Sequence, residues 1–136
     1  MNRAWYRLTG AAVLACVAMF AFSLGPTLRI ALAIAVGVPS FALMMLGRRQ
    51  LGRSFAMMPA ARALVTSGLY ARIQHPMYLF LDLGLLAAIV AVGWRAALIA
   101  WAALLVVQVF QSRREESVLA DAFGAEYEAY RRHTWL

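Results

Sequence analysis

Four long apolar runs, residues 8–28, 30–47, 77–94 and 96–112, take up more than half of this chain and restrict its fold more than any other feature. Each approaches the roughly 20 apolar residues that carry an α-helix through the hydrocarbon core of a bilayer. A sequence of 136 residues that is 64% hydrophobic and 14% charged, with mean hydropathy +0.72, has too much apolar surface for one soluble core. The expected fold class is all-α: a single-domain polytopic membrane bundle of about four transmembrane helices, with the lipid bilayer as its first partner.

The net charge of +7 rests wholly on arginine, since no lysine occurs. In a soluble protein such a balance would suggest nucleic acid. Here the arginines flank apolar runs, so no nucleic-acid partner is expected and the charges report orientation instead. With a cytoplasmic N-terminus, four crossings put Arg3, Arg7, Arg48, Arg49, Arg53, Arg62 and the C-terminal arginines inside, and only Arg29 and Arg95 outside. Both termini are thus expected to be cytoplasmic, in a bacterial inner (plasma) membrane. The single cysteine, Cys16, has no intramolecular disulfide partner and reads as a small buried hydrophobe.

Along the chain, Arg3 and Arg7 precede the first run, and Gly25-Pro26 breaks it before a short connection marked by Arg29. Pro39 predicts a kink in the second run. The connector from Arg48 to His75 is too long for a tight turn and mixes arginines with apolar residues. It is expected to lie along the cytoplasmic headgroup region, part helix and part loop. Pro76 suits the first turn of the third helix, and Gly93-Trp94-Arg95 the turn into the fourth. The segment 113–136 is amphipathic, with Val118, Leu119, Ala122, Phe123, Tyr127 and Tyr130 on one face and Gly124 dividing it into two short helices. Trp5, Trp94 and Trp101 read as interfacial anchors or packing residues, and Met44, Met45, Met57 and Met58 as packing.

Polar chemistry concentrates in two places that four crossings bring to one side of the membrane, residues 64–78 and 113–130. A helix opening at Pro76 presents unsatisfied N–H groups and a partial positive charge, so an anionic ligand group could bind there beside Arg72 and His75; the same residues also suit a simple loop-to-helix start. Glu115 and Glu116 project roughly 100° apart on a helix, so one can face the bundle while the other pairs with Arg113, Arg114 or water. An inward carboxylate suits hydroxyls or an ammonium; the alternative is a solvated cluster closing a membrane helix. Asp82, an ionisable group inside a span, points either to a ligand role or to pairing with Arg72 near the interface. Tyr70, Tyr78, Tyr127 and Tyr130 suit stacking on a flat ring or a place in the interfacial aromatic belt. One cysteine and two widely separated histidines make no metal site, and neither a phosphate-binding glycine loop nor a serine nucleophile elbow is present.

The order of these residues is more specific than their types. Gly68-x-Tyr70, His75-Pro76-x-Tyr78, an apolar hairpin, Glu115-Glu116-x-x-Leu119 and Phe123-Gly124-x-x-Tyr127-x-x-Tyr130 together resemble the integral-membrane methyltransferases typified by isoprenylcysteine carboxyl methyltransferase and the phospholipid N-methyltransferases. Leu51-Gly52-Arg53-Ser54-Phe55 and Leu64-Val65-Thr66-Ser67-Gly68 look like the isoprenylcysteine branch, and the similarity spans 51–130. It implies an S-adenosylmethionine-dependent methyltransferase with its cofactor at the cytoplasmic face and a lipophilic methyl acceptor arriving from the membrane. It nominates His75, Tyr78, Glu115, Glu116, Tyr127 and Arg131 as cofactor-binding, and no residue as the catalyst. Two positions depart from the family pattern. Gln74 stands where an arginine usually precedes His-Pro, which leaves Arg72 to supply the charge, and Phe80 stands where a small residue is common. These departures keep open an inactive relative serving as a membrane scaffold, while Asp82 and Pro39 would matter most in a small transporter subunit. So short a bundle also leaves room for a homodimer.

Overall fold

A computed structural model describes residues 3–52 and 64–134, with side chains from Thr9 onward. Arg53, Met57, Met58, Arg62 and the motif residues Ser54 and Phe55 lie outside the described residues, as do the side chains of Arg3, Trp5 and Arg7. The described residues form helices α1 (Arg3–Ala21), α2 (Pro26–Leu51), α3 (Pro76–Val92) and α4 (Ala97–His133), with a 3₁₀ turn at Gly68–Ala71 and no strand. The all-α expectation therefore holds.

Proline and glycine set the helix limits. Pro26 and Pro76 each open a helix in the first turn, where a missing N–H costs nothing. Gly93 closes α3 in the left-handed region (φ 80°), its N–H bonding the Ile89 carbonyl at 3.0 Å. The first run stops being helical earlier than expected. Beyond Ala21 the chain tightens, Ser23 N–H and Ser23 Oγ both reach the Phe20 carbonyl, and Gly25 before Pro26 is held extended. Arg29, expected in a connection, lies instead in the opening turns of α2, with its guanidinium against Gly93 at the end of α3. Arg48 and Arg49, expected in the connector, form the last turn of α2, where their charge complements the helix dipole. Pro39 sits within α2, and the neighbouring Ser40 hydroxyl donates to the Val36 carbonyl at 2.7 Å.

α3 is the central helix, packed against α2, α4 and α1. Its contact with α2 is antiparallel and uses small residues. A Cβ on Gly37 would meet Ala87 at 3.4 Å, one on Gly84 would meet Ser40 at 3.8 Å, and one on Gly47 would meet Met77 at 3.4 Å. Such small surfaces let the two helix backbones approach closely. At the far end, Trp101 of α4 packs with Ala18, Phe22, Leu86 and Val90, while Trp94 is exposed. Cys16 is exposed, not buried as expected, because α1 turns Ala11, Leu14, Ala15 and Ala18 toward this cluster.

α2, at 26 residues with mean hydropathy 2.2 over its most apolar stretch, is long and apolar enough to cross a membrane by itself. Val38 and Phe41 on its outer face are exposed. Thr9–Ala21 and Pro76–Val92 are shorter apolar helices, and a helix of 17 residues spans only about 26 Å at 1.5 Å per residue. α4 does not end near Ser112. Nothing in Gln111-Ser112-Arg113-Arg114-Glu115-Glu116 breaks a helix, so the apolar half runs into the charged half until Gly124 (φ 48°, ψ −117°) interrupts it.

Gly68 joins the end of α2 to the loop before α3. It has φ 64°, a Cβ there would fall on the Gln50 amide, and Gln50 Oε1 accepts the Leu69 N–H at 2.8 Å. Among the described residues nothing lies within 4 Å of a Cβ built at Gly52 (φ 50°). Gly52→Ala should therefore cost the strain of a positive φ with ψ near −123°, about 1–3 kcal/mol, whereas Gly68→Ala must also displace Gln50. Thermal melting in detergent should rank Gly68→Ala clearly below Gly52→Ala, and equal melting would contradict this local geometry.

Candidate functional site

Because α2 and α3 are antiparallel, the Arg48-Arg49 end of α2 lies beside the start of α3, and Arg29 lies beside its other end. The site forms at the first of these ends. His75 is the residue before Pro76, and α4 presents Glu115 and Glu116 to it. His75 Nδ1 lies 3.5 Å from Glu115 Oε2, and Nε2 lies 3.4 Å from Glu116 Oε1. Both carboxylates thus face the imidazole, where the sequence suggested that only one would turn inward. The Tyr78 hydroxyl donates to Glu115 Oε1 at 2.7 Å, and the Tyr78 ring stacks on His75 with centroids 5.7 Å apart. Arg131 completes the cluster, with Nη2 3.9 Å from Glu116 Oε2.

Burial pushes the Glu115 carboxyl up, but hydrogen bonds from His75 and Tyr78, the attraction of His75 and a hydrogen bond from Gln111 outweigh it and hold the group below its ordinary value. Glu115 is therefore a carboxylate at neutral pH. Tyr70, buried at the edge of the site, is pushed well above the usual tyrosine range by that burial and by Tyr130 and Glu115, so it stays neutral.

Two further tyrosines fasten the polypeptide beyond Gly124 to the loop. The Tyr127 hydroxyl accepts a hydrogen bond from Gln74 Nε2, both residues being buried, and the Tyr130 hydroxyl donates to the Tyr70 carbonyl at 2.9 Å. Of the nominated residues, the structure brings His75, Tyr78, Glu115, Glu116 and Arg131 together. Tyr127 is fully buried behind them. Arg72 is exposed on the turn after the 3₁₀ segment and joins none of these contacts. Phe80 lies two residues beyond Tyr78, about 200° around α3 from the face that meets Glu115.

Asp82, on the same face of α3 as Tyr78, is buried and accepts a hydrogen bond from Gln108 Nε2 at 3.1 Å; it does not pair with Arg72. Gln108 and Gln111 are contributors that the sequence reading missed. With Ser112 and Glu115 they recur at helical spacing within an apolar run, and that polar face was the available signal. Among the described residues no group of His, Cys, Asp or Glu could hold a metal ion.

Where the site holds carboxylates, an imidazole and an arginine at the opening of an apolar helix, the chain also matches a family model, that of the phospholipid methyltransferases, over residues 9–126. The chain belongs to the phospholipid methyltransferase family. No curated protein and no solved structure matches it. Membership places the chain among membrane methyltransferases that act on lipids, and the matched region contains His75, Tyr78, Glu115 and Glu116.

Since the folded chain holds Glu115 below 4.5, its ionised form stabilises the fold in full above that value and loses the contribution as pH falls through the depressed one. Detergent-solubilised protein should melt at a lower temperature near pH 3 than near pH 6, and Glu115→Gln, which cannot titrate, should shrink that difference. An unchanged difference would show that Glu115 does not contribute to it.

Proposed function

We propose that the protein is an S-adenosylmethionine-dependent methyltransferase whose four helices cross a membrane, with the cofactor held at the cytoplasmic face among His75, Tyr78, Glu115, Glu116 and Arg131. The observation that carries this reading is the imidazole at the opening of α3 set between two carboxylates of α4. The donor set fits the cofactor. Glu115 and Glu116 suit an ammonium and ribose hydroxyls, the Arg131 guanidinium and the opening N–H groups of α3 suit a carboxylate, and the His75–Tyr78 stack offers a flat surface to adenine. The orientation is supported by Arg48, Arg49, Arg113 and Arg114 at the site end and Arg29 and Arg95 at the other.

S-Adenosylmethionine, when bound, supplies an electrophilic methyl group. The chain's task is then to orient the two reactants in line and to keep water away. Glu116, between His75 and Arg131, is fixed from both sides, and Tyr78 fixes Glu115, so the carboxylates are set before a ligand arrives. The acceptor is a lipophilic molecule or lipid that enters laterally from the apolar side. The isoprenylcysteine-like motifs are one indication of its class, and the phospholipid family match is the other.

Calorimetry with S-adenosylmethionine on detergent-purified protein tests the reading directly. Wild type should bind, and His75→Ala and Glu116→Ala should each lose about tenfold or more in affinity, at least about 1.4 kcal/mol. Absence of binding by well-folded wild type would favour an inactive relative. Loss of function in Asp82→Asn with His75→Ala tolerated would favour a transporter subunit.

A further inference from the structure

Gln74 precedes His75 by one residue, and its side chain is buried and bonded to Tyr127, on the polypeptide beyond Gly124. Tyr127 is completely buried, so its hydroxyl has no route to water, and the Gln74 amide supplies a hydrogen bond in its place. Tyr127 and Arg131 are four residues apart and share a face of the terminal helix, which fixes the direction in which Arg131 leaves it. Tyr130, three residues after Tyr127, bonds the Tyr70 carbonyl on the same loop. Rotating or lifting this helix would break both tyrosine contacts and withdraw Arg131 from Glu116. The family match ends at residue 126, so Tyr127, Tyr130 and Arg131 all lie beyond it.

We infer that Gln74 and Tyr127 are a positioning pair that docks the terminal helix onto the His75 loop and thereby sets the Arg131 guanidinium against Glu116. The cation of the site is then delivered from the end of the chain, and position 74 serves as an anchor and not as a ligand. The role of Arg131 toward the cofactor rests on the function proposed above, whereas the docking itself does not.

Two measurements separate these levels. Hydrogen exchange on ligand-free protein in detergent reads the docking alone: amides of residues 125–134 should be protected in wild type and exchange faster in Tyr127→Phe and Gln74→Leu. Unchanged protection in both variants would overturn the pair. A double-mutant cycle on S-adenosylmethionine affinity reads the path through Arg131. Tyr127→Phe should weaken binding about fivefold in the natural background, as for one lost hydrogen bond, and by less than about twofold when Arg131 is already alanine. Equal losses in the two backgrounds would show that the pair does not act through Arg131 and would overturn that part. Gln74→Arg should weaken binding, and a tighter complex would show that position 74 does reach the ligand. If wild type binds no S-adenosylmethionine, the functional reading fails, and the exchange measurement alone decides the docking.

Discussion

Placing two adjacent carboxylates where the apolar half of a helix gives out is expensive unless both find partners, and the organisation of this protein follows from how that cost is met. Glu115 is satisfied by Tyr78, Gln111 and His75, and Glu116 by His75 and Arg131. These partners come from three parts of the chain: the opening of α3, the body of α4 and the helix beyond Gly124. The carboxylates therefore hold parts of the fold together while remaining oriented for a cationic or hydroxylated ligand. The ionisation of Glu115 is maintained by the same contacts, since burial alone would raise its pKa.

The depth at which His75 meets these groups is set elsewhere, by the close approach of α2 and α3. Gly37, Ser40 and Gly47 on one helix and Gly84, Ala87 and Met77 on the other bring the backbones near enough to fix their register. Gln50 then ties the end of α2 to the 3₁₀ turn, and that turn leads directly to Gln74 and His75. Below the site, the Asp82–Gln108 hydrogen bond continues the polar line of the α3–α4 contact toward the bundle interior. Buried groups of this kind favour one arrangement of the two helices, because sliding would leave each without its partner.

Much of this was legible from local signals. Pro26, Pro76, Gly93 and Gly124 mark helix limits because their backbone preferences act without tertiary context. The nearness of residues 64–78 to 113–130, expected from the alternation of four apolar runs, is seen in the His75–Glu115, His75–Glu116 and Tyr130–Tyr70 contacts. Side-chain direction was less legible. Arg72, although close to His75 in sequence, is turned outward by the 3₁₀ segment, while Arg131, 56 positions after His75, is brought toward Glu116 by the docking of Tyr127 and Tyr130. The lengths of α1 and α4 also escaped hydropathy, which registers where apolar residues stop and not where helical hydrogen bonding does. Ser23 and Gly25 end α1 within an apolar run, and α4 crosses Arg113–Glu116 without interruption.

That continuity of α4 has a mechanical consequence. From Ala97 to Gly124 the helix has no joint, so its apolar half and its two carboxylates move as one lever. Under the proposed topology, in which α4 crosses the membrane, a bilayer that tilts the apolar half to match its own thickness would also swing Glu115 and Glu116 relative to His75, which is carried by a different helix. In that setting the lipid around the protein becomes a tuning element for the spacing of the site, and membrane thickness acts on the same hydrogen bonds that keep Glu115 charged.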